Sequence, residues 1–146
     1  MSEAPIDKFR GVFSFLSNFY PADTGFDGEV YPSAEHAYQA SKTINKEERA
    51  KILFAETPGK AKRLGATLTL REGWDDMRVE VMASILKSKF ENPELRTRLL
   101  ETRGLPLIEG NTWGDTFWGV CNGMGKNHLG RLLMLLRDEI ASEEDQ

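Results

Sequence analysis

Tyr31-Pro-Ser-Ala-Glu-His-Ala-Tyr-Gln-Ala-Ser-Lys42 is where the chain changes character, from extended to helical. Pro32 closes an extended run, and Ser33 carries the short hydroxyl side chain that caps a helix N-terminus. The spacing predicts a helix over residues 34–42. At about 100° per residue, Glu35, Tyr38, Gln39 and Lys42 share one stripe, with Glu35 and Lys42 only about 20° apart in azimuth. A carboxylate, a phenol, an amide and an ammonium on one face read either as a solvated surface or as the wall of a cavity. Ala34, Ala37 and Ala40 are small enough to let neighbours close around the helix, which favours the cavity. His36 falls off the stripe and reads as a structural or exposed histidine rather than a catalytic one.

Working outward, Phe9, Val12, Phe13 and Phe15 favour strands, so the first thirty residues are expected to be extended. Asp27-Gly28 is a turn signal before Glu29-Val30-Tyr31. Beyond Lys42, helices are expected over 45–55 and over 58–65, the latter with Thr57 as cap, Pro58 in first position and Gly65 as terminator. A longer helix starts at Asp75 or Asp76, with Val79, Met82, Leu86 and Phe90 as its buried stripe. Asn92-Pro93 opens a helix over 93–102, closed near Gly104, and residues 105–108 suit a short strand. Asn127 can cap a final helix whose apolar face is Leu129, Leu132, Leu133 and Leu136. The expectation is a mainly α, multihelical single domain spanning 1–146, with a few short β-strands and a disordered-looking, solvated acidic tail over about 142–146.

A chain of 146 residues, 40% apolar and 29% charged, has the size and composition of one ordinary globular domain. Cys121 stands alone, which excludes an internal disulfide. With only His36 and His128 beside it, a structural zinc site is not expected. Met1-Ser-Glu-Ala-Pro5 has no signal-peptide pattern, and no apolar run approaches the roughly 18 residues of a membrane span. A net charge of −4 argues against strong non-specific binding to nucleic acid. These readings point to a cytoplasmic protein that needs no membrane, metal or cofactor. P-loop, GxGxxG, HExxH and GxSxG patterns are absent.

Between Ile108 and Asn127, five glycines and two tryptophans fall within eighteen residues. Trp113, Phe117 and Trp118 are costly to leave in water, so the segment is expected to be an ordered loop walling a site. Asp115 within it reads either as a carboxylate tuned by its surroundings or as an Asx-turn residue. Asn18 either satisfies a turn or binds sugar hydroxyls, and Trp74 is either core or a platform for a base. Lys60, Lys62 and Arg63 are either surface charge or a phosphate lure.

Taken together, several blocks resemble the NADAR family, also called YbiA-like. They are Phe15-Leu-Ser-Asn-Phe-Tyr-Pro21, the Gly28 to Lys42 stretch, Thr57-Pro-Gly-Lys-Ala-Lys-Arg-Leu-Gly65, Trp74 with Met82, and Lys89-Phe90. Leu99-Leu-Glu-Thr102, Leu107-Ile-Glu109, residues 113–119, Asn127-His-Leu-Gly130 and Leu133-Met134 complete the set, which covers nearly the whole chain. The resemblance implies a fold dominated by helices and an N-glycosidase. Some members cleave ribosylamino-pyrimidine phosphates of early riboflavin synthesis and release ribose 5-phosphate; others remove ADP-ribose from guanine in nucleic acid. By motif it singles out Asn18, Glu35, Lys42, Trp74 and Asp115. The Cys121-Asn-Gly-Met-Gly-Lys126 stretch is a local elaboration.

Breaking a ribosyl C–N bond builds positive charge on the sugar, which a carboxylate stabilises. Glu35 and Asp115 are therefore the expected catalytic pair, with Lys42 tuning a carboxylate or binding phosphate. Asn18, Tyr38, Trp74, Trp113, Trp118 and Lys62 are the expected substrate-binding set, and Glu35, Lys42, Trp74 and Asp115 are expected to line one cavity. The substrate is a small ribosyl phosphate or an ADP-ribosyl group. Acting on ADP-ribosylated nucleic acid would call for a basic rim, for which Lys60, Lys62, Arg63 and Arg131 are candidates. A silent domain that binds ADP-ribose or a nucleotide has no need of both carboxylates.

Overall fold

Short polar side chains open the helices where the sequence places them. In the computed structural model, which describes residues 4–145, the first helix α1 (Ala34–Ser41) begins as Ser33 Oγ accepts the His36 N–H. Asn45 does the same for α2 (Lys46–Leu53) through the Glu48 N–H, and Thr57 for α3 (Pro58–Gly65) through the Lys60 N–H. Each such bond satisfies an amide that the helix itself cannot. The readings of Met1-Ser-Glu and of Gln146 lie outside the described residues.

The described chain divides into two compact units, of which one is the continuous stretch Asn18–Lys89. It opens with an antiparallel hairpin, β1 (Pro21–Phe26) and β2 (Glu29–Ser33), in the register Thr24↔Tyr31 and Phe26↔Glu29. Both turn residues, Asp27 and Gly28, have positive φ, the conformation that fits the twist of a two-residue hairpin. Arg49 reaches back to Asp27 at 2.7 Å and holds its carboxyl below the usual range. Helix α4 (Trp74–Lys89) lies along β1, where Ser88 Oγ accepts the Gly25 N–H at 2.7 Å. Its buried residues are Trp74, Val81, Met82, Ile85, Leu86 and Lys89, so the stripe runs through Ile85, and Val79 is only half-buried.

Helix α1 sits inside this unit, packed by α2, α3, α4 and the hairpin, and all eight of its residues are buried. Ala34, Ala37 and Ala40 let those neighbours approach on every side. His36 takes the structural one of these two readings. Its Nδ1 meets Ser33 Oγ at 2.7 Å and its Nε2 meets the Ala55 carbonyl at 3.0 Å, which pins the α2–α3 connection to α1.

The other unit combines residues up to Ser17 with those from Phe90 onward. Here the extended reading of the N-terminal aromatics needs correction: Gly11–Leu16 is a 3-10 helix. Phe15 and Leu16 are buried consecutively, which an alternating strand cannot do. Asn92 caps α5 (Pro93–Leu100), and Arg98 stacks on Phe15 at 4.3 Å while its guanidinium donates to the Val12 carbonyl. Residues 105–108 give only a single bridge, Leu107 with Ile6, and the short parallel pair is β3 (Gly110–Asn111) with β4 (Val120–Cys121).

Helix α6 (His128–Glu144) runs into the acidic tail. Residues 142–144 of the tail are exposed and helical, and Arg96 pairs with Glu143 and Glu144 at 3.3 and 3.0 Å. Asn127 precedes α6 in a left-handed conformation and makes no cap bond, contrary to expectation. Its amide instead holds Leu107 O and the Glu109 N–H, and loop carbonyls cap the helix: Lys126, Asn127, His128 and Leu129 donate to the carbonyls of Thr116, Gly119, Phe117 and Trp118. Among the described residues no helix is long and apolar enough to cross a membrane.

Candidate active site

Glu35 is the first-turn carboxylate of α1, and its own N–H donates to the Asn18 carbonyl at 3.0 Å. One turn on, Gln39 Nε2 donates to Glu35 Oε2 at 2.5 Å, and both side chains are buried. A buried carboxylate needs such donors, because burial without them favours its neutral form. Asn18 is itself buried, with Nδ2 against Met82 Sδ at 3.5 Å and Oδ1 without a partner among the described residues.

Tyr38 and Trp74 stack at 5.5 Å with their rings tilted by 51°. The Lys42 ammonium lies 5.5 Å from the Tyr38 ring centre. Burial pushes the Lys42 pKa down; Glu35 acts against that shift, while Lys62 and Arg78 add to it. Those couplings place one carboxylate and three cations in a shared neighbourhood, drawn from α1, α3 and α4. The stripe read from α1 is thus no solvated face. Trp74 is almost wholly buried, so much of its ring serves the core.

This unit therefore gathers Asn18, Glu35, Tyr38, Lys42, Lys62 and Trp74. Arg78 and Gln39 were not in the expected set. Arg78 carried a signal, one helical turn after Trp74. Lys60, in the suggested rim, pairs with Glu56 at 2.8 Å.

Trp113, Asp115 and Trp118 belong to the other unit. Asp115 Oδ1 accepts the N–H groups of Phe117 and Trp118 at 3.1 and 2.9 Å, an Asx-type turn. Asn111 clamps the Asp115 backbone, with Nδ2 donating to its carbonyl at 2.8 Å and Oδ1 accepting its N–H at 3.0 Å. Gly119 permits this closeness, since a Cβ there would overlap the Glu109 carbonyl and carboxylate. Trp118, Phe117 and His128 form an aromatic cluster, Phe117 lying 4.9 Å from Trp118 and 4.6 Å from His128, whereas Trp113 is exposed. The loop is ordered, as expected, by hydrogen bonds rather than by burial of its tryptophans alone.

Residues 8–141 match the family model of the NADAR domain. N-glycosidase YbiA of Escherichia coli (strain K12) is 39% identical over 133 residues, spanning 88% of this chain and 82% of that protein. An N-glycosidase of Nostoc punctiforme is 36% identical over 135 residues, spanning 88% and 86%. Riboflavin biosynthesis protein PYRR of Zea mays is 37% identical over 152 residues, which is 91% of this chain but 24% of that protein. The NMR structure of E. coli YbiA superposes with a TM-score of 0.86 at 35% identity, covering 100% of this chain and 90% of that one. The mainly helical fold and these relatives define an enzyme of the N-glycosidase class. Within that class, the chain belongs to the NADAR family.

Proposed function

We propose that the protein hydrolyses the C–N bond between a phosphorylated ribose and a base, as in the ribosylamino-pyrimidine phosphates of riboflavin synthesis, and releases ribose 5-phosphate. The observation that carries this reading is the buried Glu35 carboxylate, hydrogen-bonded by Gln39 and electrostatically grouped with Lys42, Lys62 and Arg78. One negative group suits a cationic sugar, and several positive groups suit a phosphate.

Bond cleavage leaves its electron pair on the base nitrogen and positive charge shared between C1′ and the ring oxygen. Water adds to C1′ and yields its proton, while the nitrogen gains one, giving a free sugar and a free amine. Glu35 stabilises the charge, and Asp115 is the second carboxylate of the proposal. Asn18 Oδ1 is an acceptor for a sugar hydroxyl, and the aromatic residues Tyr38, Trp74, Trp113 and Trp118 are candidates to hold the base.

The name of the maize relative supports a riboflavin-pathway substrate over ADP-ribosylated nucleic acid. The test offers purified protein a ribosylamino-pyrimidine phosphate and an oligonucleotide carrying ADP-ribosyl guanine, and follows released sugar by mass spectrometry. Ribose 5-phosphate from the first is the expected result. ADP-ribose from the second alone would favour the nucleic-acid glycohydrolase, and tight binding without turnover of either would favour a binding domain.

A further inference from the structure

The hydrogen bond from Gln39 to Glu35 uses only one side of the amide. On the other side, Gln39 Oε1 is buried without a hydrogen-bond partner among the described residues. It occupies the space where a side chain at residue 65 would begin. A Cβ on Gly65 would overlap Gln39 Oε1 and approach its Cδ to 2.6 Å. Gly65 was expected as a helix terminator and is the last residue of α3, with Ala66 after it as a right-handed cap. No positive φ there calls for glycine. The missing side chain is what the position requires. The contact also fixes the amide's sense: turned over, it would set oxygen against oxygen at Glu35 and lose its one hydrogen bond.

We propose that Gln39 is a positioning residue for Glu35, its amide wedged between that carboxylate and the bare Cα of Gly65 so that the carboxylate plane is held for reaction. The inference rests on the reading of Glu35 as the reacting carboxylate. A glutamate side chain turns about three bonds, and a donor backed by α3 removes most of that freedom. The donor also favours the ionised carboxylate, the form a cationic sugar needs. The charged groups sharing this neighbourhood are Lys42 of α1, Lys62 of α3 and Arg78 of α4. On α2 and the hairpin, Glu48 is engaged by Thr43 and Thr69, and Arg49 by Asp27, while Lys46, Glu47 and Lys51 are exposed.

Gln39→Met keeps the length and removes the donor; Gly65→Ala keeps the donor and removes its clearance. In each, kcat is expected to fall about 10- to 100-fold with KM moving less than about 3-fold. The acid limb of kcat should rise by about 0.5–1 pH unit, and the Glu35 titration midpoint, followed by ¹³C NMR of the carboxyl, should rise with it. The double variant should lose little beyond either single one, because both changes remove the same support of the Glu35 carboxylate. A merely structural role would lower Tm and leave the acid limb and the midpoint where they were. Should either variant fail to fold, Gln39→Glu sets a second carboxylate of the same size beside Glu35 and must raise the midpoint further. An unmoved Glu35 midpoint in the folded variants overturns the inference, whether or not sugar is released. A shifted midpoint in a protein that releases no sugar would instead remove the proposed activity and leave the positioning intact.

Discussion

Two carboxylates of this protein are held by opposite kinds of donor. Glu35 rises from a helix buried on all sides and receives a side-chain amide from one turn away. Asp115 sits in a loop and receives two main-chain amides from the residues that follow it. Glu35 depends on the packing of α1 against its neighbours, so a change at Gly65, remote in sequence, reaches it. Asp115 makes its own surroundings, so the carboxylate and the loop stand or fall together. Substitution therefore has a different meaning at each: at Glu35 charge and fold are separable, and at Asp115 they are separable only if the acceptor oxygen is kept.

The largest effect is expected from Glu35→Gln, which keeps a group of the same size beside Gln39. Turnover should drop on the order of 10²–10⁴-fold while Tm changes little. Single-turnover rates near wild type would remove Glu35 from the chemistry. Asp115→Asn keeps Oδ1 for Phe117 and Trp118, so a loss on the order of 10²-fold with the loop intact is the expected mark of a chemical role. Asp115→Ala orphans both amides and should cost about 1–3 kcal/mol in addition, read as faster hydrogen exchange at Phe117 and Trp118. If the Asn variant is fully active and the Ala variant is not, Asp115 only shapes its loop.

Lys89 probes the Glu35 side of the comparison without touching the carboxylate. It ends α4 fully buried, its Nζ 5.9 Å from the Tyr20 ring centre, and burial pulls its pKa from 10.5 to about 7. Between those values the unfolded chain keeps the proton and the folded chain does not, so raising the pH stabilises the fold across that window. Urea midpoints should climb from about pH 7 toward 10, and Lys89→Met should flatten the slope. An unchanged slope in that variant would assign it to other groups. The smallest effect expected is none: exhaustive chelation should leave turnover untouched. Recovery by one divalent ion after complete loss would require a different mechanism.

What was legible in the sequence is what is local. Ser33, Thr57 and Asn92 each cap the helix they precede, because a cap spans only three residues, whereas Asn45 was read as helical and proves to be the cap of α2. The Glu35–Lys42 stripe was legible for the same reason. Asn127 misled because its amide serves Leu107 and Glu109, some twenty residues away; Gly65 ends α3 as read, but the Gln39 side chain that fills the space beside it lies on another helix and was not legible. The N-terminal aromatics misled because strand preference reports a half-buried pleat, whereas Phe15 and Leu16 are buried side by side. Arg78 and the Asn111 clamp escaped notice because polar residues in a helix or loop look alike until their neighbours are known.

The division of the chain into a continuous unit and a split one has a consequence for its synthesis. Ribosomes deliver Asn18–Lys89 in a single run, so every internal partner of α1 and the hairpin has been made once Lys89 is added. Ile6 is made before that unit but must wait, since it pairs with Pro106 and Ile108 on chain that is made a hundred residues later. During that interval its segment is exposed to chaperones and proteases. Stalled nascent chains should show protease protection over 18–89 well before protection over 4–17. Simultaneous protection would mean that the two units are born together.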